Sequence, residues 1–432
     1  MKENTQQGKK AFLSFLSNFP PLSLNLHWSI AITVAFVLWL LVSSIFLIPL
    51  WFQPALAVQN DDYWLFSEWF GSNGPYPYSH FGPGFPYLIY LFRSIGLDMF
   101  GMAVILKIAV GLTGIALYHL GRTIGLHQII SFIAASAFTV FPIVQVYSSL
   151  FLAETLYLLL TSIATAIIFH QIQHKNNSSV GWLVLGYSIL GLATLVRVNA
   201  VVLLIGCLII GLFMLPWRKI IVAGVIAMIP ILGWSSLNWH WYGHFKLTSS
   251  ADSAIATSII GPVMIKQTGI EHRAEPEIWF RPDEIKQYNS LFDLSTSARD
   301  EAIDYALEHP IPVLIANIKG WFNSLVGVDK SKFQRLFGEI SYKFWMGLGL
   351  IIRSLLALGL VGFFIIGGYR HQLAFSAFLC VMLIAHLVTG GAAGHARFGY
   401  PIDAFSVLAL AFFVQNILRI DSYKNVRANT FL

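Results

Sequence analysis

The stretch "HWSIAITVAFVLWLLVSSIFLIPLW", His27 to Trp51, contains no charged residue and is almost wholly apolar. A helix that crosses a bilayer needs roughly 20 such residues. The apolar core of a cleaved signal peptide has only about 7–15 and lies closer to the N-terminus. The run therefore predicts a retained transmembrane helix, and with it a membrane fold.

The rest of the 432-residue chain agrees, since 56% of its residues are hydrophobic and only 11% are charged. Soluble proteins carry about 25% charged residues. Backbone polar groups in lipid must be satisfied within each segment, which favours helices. We expect an all-α, polytopic transmembrane helix bundle of about ten spans. After 27–51 these are 101–120, 129–147, 150–169, 181–196, 200–215, 220–239, 344–368, 373–391 and 398–418.

The segment 181–215 has two interpretations, one long pair of half-helices or two short spans. Arg197 and Asn199 in its middle favour a turn.

Basic residues predict the orientation, because Lys and Arg accumulate in short cytoplasmic connections. With a cytoplasmic N-terminus, the short outer connections contain only Arg93, Arg197 and Arg397. The cytoplasmic side then holds Lys2, Lys9, Lys10, Arg122, Lys175, Arg218, Lys219, Arg370, Arg419, Lys424 and Arg427. Both termini are expected in the cytoplasm and the protein in a membrane such as the bacterial inner membrane. The net charge of +6 is thus sorted by membrane side, and we expect membrane lipids and no nucleic acid as partners.

Charge also divides the chain into regions. Residues 240–343 hold 13 of the 21 acidic residues and are expected to form a small, mainly helical extracytoplasmic domain. The other predicted regions are a cytoplasmic or interfacial segment (1–26), a transmembrane module (27–239) with its first outer loop (52–100), C-terminal transmembrane helices (344–420) and a cytoplasmic tail (421–432). Cys207 and Cys380 fall inside predicted spans and predict no disulfide framework.

The stretch "VQNDDYWLFSEWF" places Asp61 and Asp62 just beyond the first span. A carboxylate there can accept a proton, hold a divalent cation or cap a helix. Because adjacent carboxylates repel each other, a cation or an arginine is expected to hold one of them.

The following stretch, "GSNGPYPYSHFGPGFPYLIYLF", is rich in Gly and Pro and predicts tight turns. His80 and tyrosines such as Tyr87 offer hydrogen-bonding and stacking surfaces for a sugar ring or a lipid head group. An ordered loop without a ligand is the alternative.

Further ionisable residues fall at the outer ends of predicted spans: Glu154, Arg197, His395, Arg397 and Asp403. Charges within spans usually face a cavity or a partner. A structural Glu–Arg pair between helices is the alternative for Glu154. Arg397, with its permanent forked charge, is a candidate phosphate ligand, whereas Lys107 and Arg353 within spans either act similarly or reach toward the interface.

In this order these motifs resemble the polytopic lipid-linked-sugar glycosyltransferases of the GT-C superfamily, especially the bacterial branch similar to protein O-mannosyltransferases and the aminoarabinose transferase of lipid A. The resemblance covers nearly the whole chain. Besides the acidic pair it includes "KIAVGLTGIALYHLGRTIG", "LFLAETLYLLLTSIA", "LGLATLVRVNAVVLL", "ALEHPIPVLIANIKGWFN" and "ARFGYPIDAFSVLALA".

The resemblance implies an inverting transferase that moves a sugar from a polyprenyl- or dolichyl-phosphate donor to an acceptor hydroxyl on a protein, lipid or polysaccharide. Asp61 matches the catalytic base, and Asp62 would orient the acceptor or help hold a divalent ion. Since only some relatives use a metal, Mg²⁺ or Mn²⁺ stays open as a cofactor. Arg397, with Lys107 and Arg197, would hold the departing lipid phosphate.

Two other classes of protein fit parts of the pattern. A transporter or flippase of a lipid-linked glycan or another amphiphile also uses intramembrane charges and broken helices, but no internal symmetry is visible in this chain. A non-catalytic scaffold leaves the clustered outer charges unexplained.

Overall fold

The computed structural model describes residues 26–58, 63–72, 75–76, 81–268, 290–366, 372–393 and 395–418. Of these residues 86% are helical and none lies in a strand, so the predicted all-α polytopic class is confirmed. Asp61, Asp62 and His80 lie outside the described residues, as do most of the predicted N-terminal segment, part of 240–343 and the predicted C-terminal tail.

The α-helices are, in chain order, α1 (Leu26–Phe52), α2 (Tyr63–Glu68), α3 (Gly84–Ser94), α4 (Met99–Thr123), α5 (Gln128–Val140), α6 (Pro142–Ser149), α7 (Ala153–Gln173), α8 (Val180–Val196), α9 (Ala200–Met214), α10 (Trp217–Tyr242), α11 (Ser250–Ala254), α12 (Gly261–Thr268), α13 (Leu291–Glu308), α14 (Pro310–Val326), α15 (Lys330–Ile365), α16 (Leu373–Gly390) and α17 (Tyr400–Ile417). A π-helical turn, Ile255–Ile260, joins α11 to α12. Short 3-10 turns are Pro54–Ala57, Trp69–Gly71, Lys175–Asn177 and Ala396–Gly399.

Seven described helices are long and apolar enough to cross a membrane, and the bent pair α5–α6 makes an eighth if it is one span. Every predicted span coincides with helix, but α8 and α9 have only 17 and 15 residues. At 1.5 Å per residue, α9 is about 23 Å long, which is less than the hydrocarbon thickness of about 30 Å. The stretch Pro310–Glu339, which the sequence pattern assigns to the outer domain, also qualifies as a span.

The segment 181–215 folds as two helices rather than one long element. Arg197 ends α8 in an extended conformation, with φ −144° and ψ 125°. The Tyr187 hydroxyl donates a hydrogen bond to the carbonyl oxygen of Cys207, 2.7 Å away. Because these two residues are equally far from Arg197 in sequence, α8 and α9 form an antiparallel hairpin with the predicted turn at its tip.

The helices pack in two groups, which meet at α6, between α8 and α9 and between α5 and α17. In the first group α8 contacts α7 and α10, and α7 contacts α4; in the second α15 packs on α17 and α9 on α16. Every residue of α6 is buried, and this helix contacts α1, α4 and α15. Its start at Pro142, 48° from the axis of α5, creates a broken helix in the middle of the bundle.

A smaller apolar cluster joins the π-helical turn to α13. Beside it, the Asp252 carboxylate accepts from the Lys246 ammonium at 2.5 Å and from the Arg299 guanidinium at 2.9 Å. Burial acts to raise the pKa of Asp252, but the two cations outweigh burial and hold that pKa below its ordinary value. This ion-pair cluster fastens α13 to the chain that leaves α10.

Candidate active site

The structure brings two predicted site residues, Glu154 and Arg197, into one ion pair. Glu154 lies in the first turn of α7, where the helix dipole favours a carboxylate. Its side chain is 3% exposed, whereas that of Arg197 is 18% exposed. A carboxylate buried this deeply needs a cation close by. The pair ties α7 to the α8–α9 turn and leaves part of the Arg197 side chain accessible.

The chain on either side of the acidic pair is held at Phe151, three residues before Glu154. Before the pair, the Ala57 carbonyl accepts a hydrogen bond from the Phe151 backbone N–H at 2.8 Å. After the pair, the Trp64 ring stacks on the Phe151 ring with centroids 5.6 Å apart. Both flanks of Asp61–Asp62 therefore contact the residue that leads into α7.

A second fastening comes from Arg335 on α15. Its guanidinium donates to the carbonyl of Leu56 at 2.9 Å and to the carbonyl of Val58. The segment that enters the acidic pair is thus bound to both helix groups of the bundle.

The Gly- and Pro-rich loop presses on the last turn of α8. A Cβ atom added to Gly82 would lie 2.1 Å from the carbonyl oxygen of Leu195, so only glycine fits there. Leu195 is two residues before Arg197. This loop therefore packs next to the Glu154–Arg197 pair.

Tyr87 lies on α3, on the outside of the same loop. Its side chain is 47% exposed, and its ring contacts those of Phe70 and Tyr90, with centroids 5.1 Å and 6.3 Å away. These three rings form an aromatic cluster in which Tyr87 is exposed and the other two are half-buried. His80, the other ligand predicted from this loop, lies outside the described residues.

Lys107 is buried in α4 and directed at α6. Its ammonium donates to the Gln145 carbonyl at 2.5 Å, to the Gln145 side-chain oxygen at 2.9 Å and to the Ser148 hydroxyl at 2.9 Å. An ammonium has three protons, so these acceptors satisfy it completely. Lys107 joins α4 to the broken helix, and it would have to release one acceptor to bind an anion.

Arg397 lies in the 3-10 turn that precedes α17, next to the exposed His395. Arg397 is half-buried. The turn leads directly into Tyr400 of α17, whose ring packs against that of the buried Tyr147 in α6, with centroids 5.1 Å apart. The turn that carries Arg397 therefore packs next to α6, and α6 also contacts α7, which carries Glu154.

A second buried ion pair supports this turn. The Arg353 guanidinium of α15 contacts the Asp403 carboxylate of α17 at 2.8 Å and 2.9 Å. The side chain of Arg353 is almost fully enclosed, so it does not extend to the membrane interface, which is one of the two behaviours that the sequence predicts.

Sequence reasoning missed the polar residues of α6, which connect the site. Gln145 and Ser148 accept from Lys107, and the Tyr147 ring packs against Tyr400 with centroids 5.1 Å apart. The signal was present: Gln145 and Tyr147 follow Pro142 within the predicted span 129–147, and Ser148 comes directly after it. Their partners could not be read from the pattern.

Within the part of the chain that the structure describes, no three His, Cys, Asp or Glu side chains are arranged to hold a metal ion. Asp62, the predicted metal ligand, lies outside that part.

Comparison with known families now adds to this geometry. Residues 79–236 match the dolichyl-phosphate-mannose-protein mannosyltransferase family. The match covers 158 of the 432 residues and agrees with the predicted resemblance over that part, and the apolar helices support an integral, multi-pass membrane protein. The family implies a lipid-linked sugar donor and an acceptor that becomes glycosylated. The matched region contains Lys107, Glu154 and Arg197, whereas Asp61 and Arg397 lie beyond its limits. No protein of curated function matches the chain significantly.

Proposed function

We propose that this protein transfers a sugar from a polyprenyl- or dolichyl-phosphate donor to an acceptor hydroxyl on the extracytoplasmic face, with inversion at the anomeric carbon. One observation carries the proposal: both flanks of the acidic pair contact Phe151, and three residues later Glu154 pairs with Arg197. The match of residues 79–236 to a family of such transferases supports it.

In the proposed reaction Asp61 removes the proton of the acceptor hydroxyl as its oxygen attacks the anomeric carbon. The bond from that carbon to the phosphate oxygen breaks, and the lipid phosphate leaves with the bonding electrons. Asp62 orients the acceptor. Where a divalent cation participates, Asp62 is its proposed ligand.

Arginines suit the leaving group because a guanidinium can donate two parallel hydrogen bonds to one phosphate. Arg397 is the proposed main ligand, since it is half-buried in the turn that packs next to α6, the helix that precedes Glu154. Arg197 retains partial exposure beside Glu154 and is the second. Lys107 would act on the phosphate through its positive field rather than by direct contact, because its donors are occupied.

The test uses purified protein in liposomes with radiolabelled polyprenyl-phosphate mannose as the donor and a membrane extract as the source of acceptors. We expect Asp61→Asn to lower transfer about 100- to 10,000-fold, the usual effect of losing a general base. Arg397→Ala should raise the KM for the donor and lower kcat, and Arg397→Lys should restore part of both.

Glu68→Gln is the matched control, because it removes a carboxylate from the same loop. The exposed ion pair between Glu68 and Arg93 takes no part in the proposed chemistry. It should transfer at the wild-type rate. Wild-type transfer by Asp61→Asn would eliminate the assigned base.

The bent α5–α6 pair favours transport of a lipid-linked glycan as the second candidate, since broken helices line many transport pathways. A fluorescent lipid-linked glycan that crosses the bilayer of these liposomes, without any transfer of sugar, would establish transport instead of transfer.

A further inference from the structure

Helix α14 carries a contiguous apolar stripe that no described part of the protein covers. Its members, Ile311, Leu314, Ile315, Ile318 and Phe322, are each 48 to 68% exposed. They follow one another at three- and four-residue spacing and so lie on one helix face. Single exposed apolar residues are common, but a continuous exposed stripe marks an interaction surface.

The opposite face of α14 packs along α16. A Cβ atom on Gly320 would lie 2.1 Å from the carbonyl oxygen of Gly391, just after the last residue of α16. One turn later, the Ser324 hydroxyl is 2.9 Å from the His386 ring, inside α16. Between these contacts, the Trp321 indole donates to the Leu387 carbonyl at 2.8 Å. From Gly320 to Ser324, α14 therefore descends along α16, away from its end.

The C-terminus of α14 ends beside the middle of another candidate span. Arg353, the central residue of the span Ser341–Ile365, donates to the Gly327 carbonyl at 2.6 Å and to the Ser324 carbonyl at 3.2 Å. A helix that ends in water can leave its last carbonyls to solvent. One that ends inside a bilayer needs a protein donor for them, and Arg353 is such a donor.

We propose that α14 is a half-inserted membrane helix, which enters from the extracytoplasmic side at Pro310 and ends beside Arg353, with its stripe against lipid acyl chains. Helix α14 packs on α16, and α16 also exposes apolar residues, such as Ile384, on its surface. Because α14 lies at the depth of the spans, lipid is the occupant that this position requires. Lys319, exposed beside the stripe, is long enough to reach the head groups.

The proposal moves residues 310–326 out of the predicted extracytoplasmic domain and into the membrane. The buried face of α14 also contacts the turn that carries Arg397: a Cβ atom on Gly399 would lie 2.1 Å from the Ser324 carbonyl oxygen. The bilayer would then border the candidate site on this side.

The experiment measures depth with single cysteines in a variant that lacks Cys207 and Cys380. Purified protein with an environment-sensitive fluorophore at residue 311, 318 or 322 is placed in phosphatidylcholine vesicles that contain shallow or deep spin-labelled phospholipids. Ile384→Cys is the lipid-facing control and Asp300→Cys the aqueous control, since its side chain is largely exposed on α13.

We expect quenching at residues 318 and 322 of at least half that at residue 384, and none at residue 300. Shallow quenchers should act more strongly at residue 311, and deep quenchers at residue 322. Should Phe322→Cys fail to fold, Ile315→Cys on the same stripe gives a further position for the comparison with residue 311.

Three results would overturn the proposal. One is rapid labelling of residues 318 and 322 by a membrane-impermeant maleimide, at the rate of residue 300. Another is protection from maleimide without quenching by either lipid, which would mean a protein partner such as a second copy. The third is equal depth for residues 311 and 322, which would place α14 flat on the surface. No sugar donor is involved, so the outcome is independent of the proposed transfer reaction.

Discussion

Replacing Arg353 by methionine tests the buried ion pair between α15 and α17. The Arg353 side chain is 1% exposed and that of Asp403 6%, and the guanidinium contacts the carboxylate at 2.8 Å and 2.9 Å. Removing one partner of a buried pair costs about 3–5 kcal/mol, because the other charge remains buried and unpaired. The Ser324 and Gly327 carbonyls also lose their donor. We expect Arg353→Met to lower the free energy of unfolding by about 4–6 kcal/mol.

The double variant Arg353→Met/Asp403→Leu separates the ion pair from the carbonyl contacts. With both charges removed, the penalty of an unpaired buried carboxylate disappears, and only the unsatisfied carbonyls remain. We expect the double variant to be about 2 kcal/mol less stable than wild type, and thus more stable than Arg353→Met alone.

The assay is reversible unfolding in mixed micelles of dodecyl maltoside and SDS, followed by tryptophan fluorescence. Glu68→Gln is the control: its exposed pair with Arg93 should contribute no more than about 1 kcal/mol. A loss below about 1 kcal/mol in Arg353→Met, or a double variant no more stable than Arg353→Met, would refute the reasoning that this pair is a coupled, buried unit.

Three further predictions concern other contacts. Glu154→Gln should lower the free energy of unfolding by about 2–3 kcal/mol in the same assay, because it leaves the largely buried Arg197 guanidinium without its carboxylate. The double variant Glu154→Gln/Arg197→Gln should recover part of that loss. Equal stability of wild type and Glu154→Gln would contradict this. Gly82→Ala should lower the free energy of unfolding by about 1–3 kcal/mol, because the added methyl group overpacks against Leu195. Gly233→Ala is the control: this residue lies within α10 and an added Cβ atom meets no neighbour, so the substitution should be neutral or stabilise by up to about 1 kcal/mol. Equal effects of the two substitutions would show that the Gly82 contact is not tight. Because the pKa of Asp252 is lowered in the folded protein, its ion pairs stabilise the fold above the unfolded pKa of about 3.9, and this contribution is lost as the pH falls through the lower folded pKa. The difference in melting temperature between wild type and Asp252→Asn should therefore be larger at pH 7 than at about pH 3. A difference that stays constant with pH would disprove the assignment.

The sequence pattern predicted the class of fold and a helix at every predicted span, because a bilayer imposes a simple length and polarity rule on each segment. It also predicted the turn at Arg197, where a charge and an amide interrupt an apolar run. It did not separate full spans from short ones. The stretch Pro310–Glu339 escaped it because α14 carries Asn, Lys and Trp among its apolar residues, which lower the average hydropathy of a helix with only one apolar face.

For the candidate site, the sequence alone supplied the residue types and the expectation that charges near span ends face inward. Which charges meet was decided only by the tertiary structure. Glu154 pairs with Arg197, whereas Lys107 is satisfied by α6 and Arg353 pairs with Asp403. The physical reason is that a contact between two helices depends on the rotation and depth of each. A hydropathy average contains no information on either the rotation or the depth of a helix, because both are set by the packing of the whole bundle.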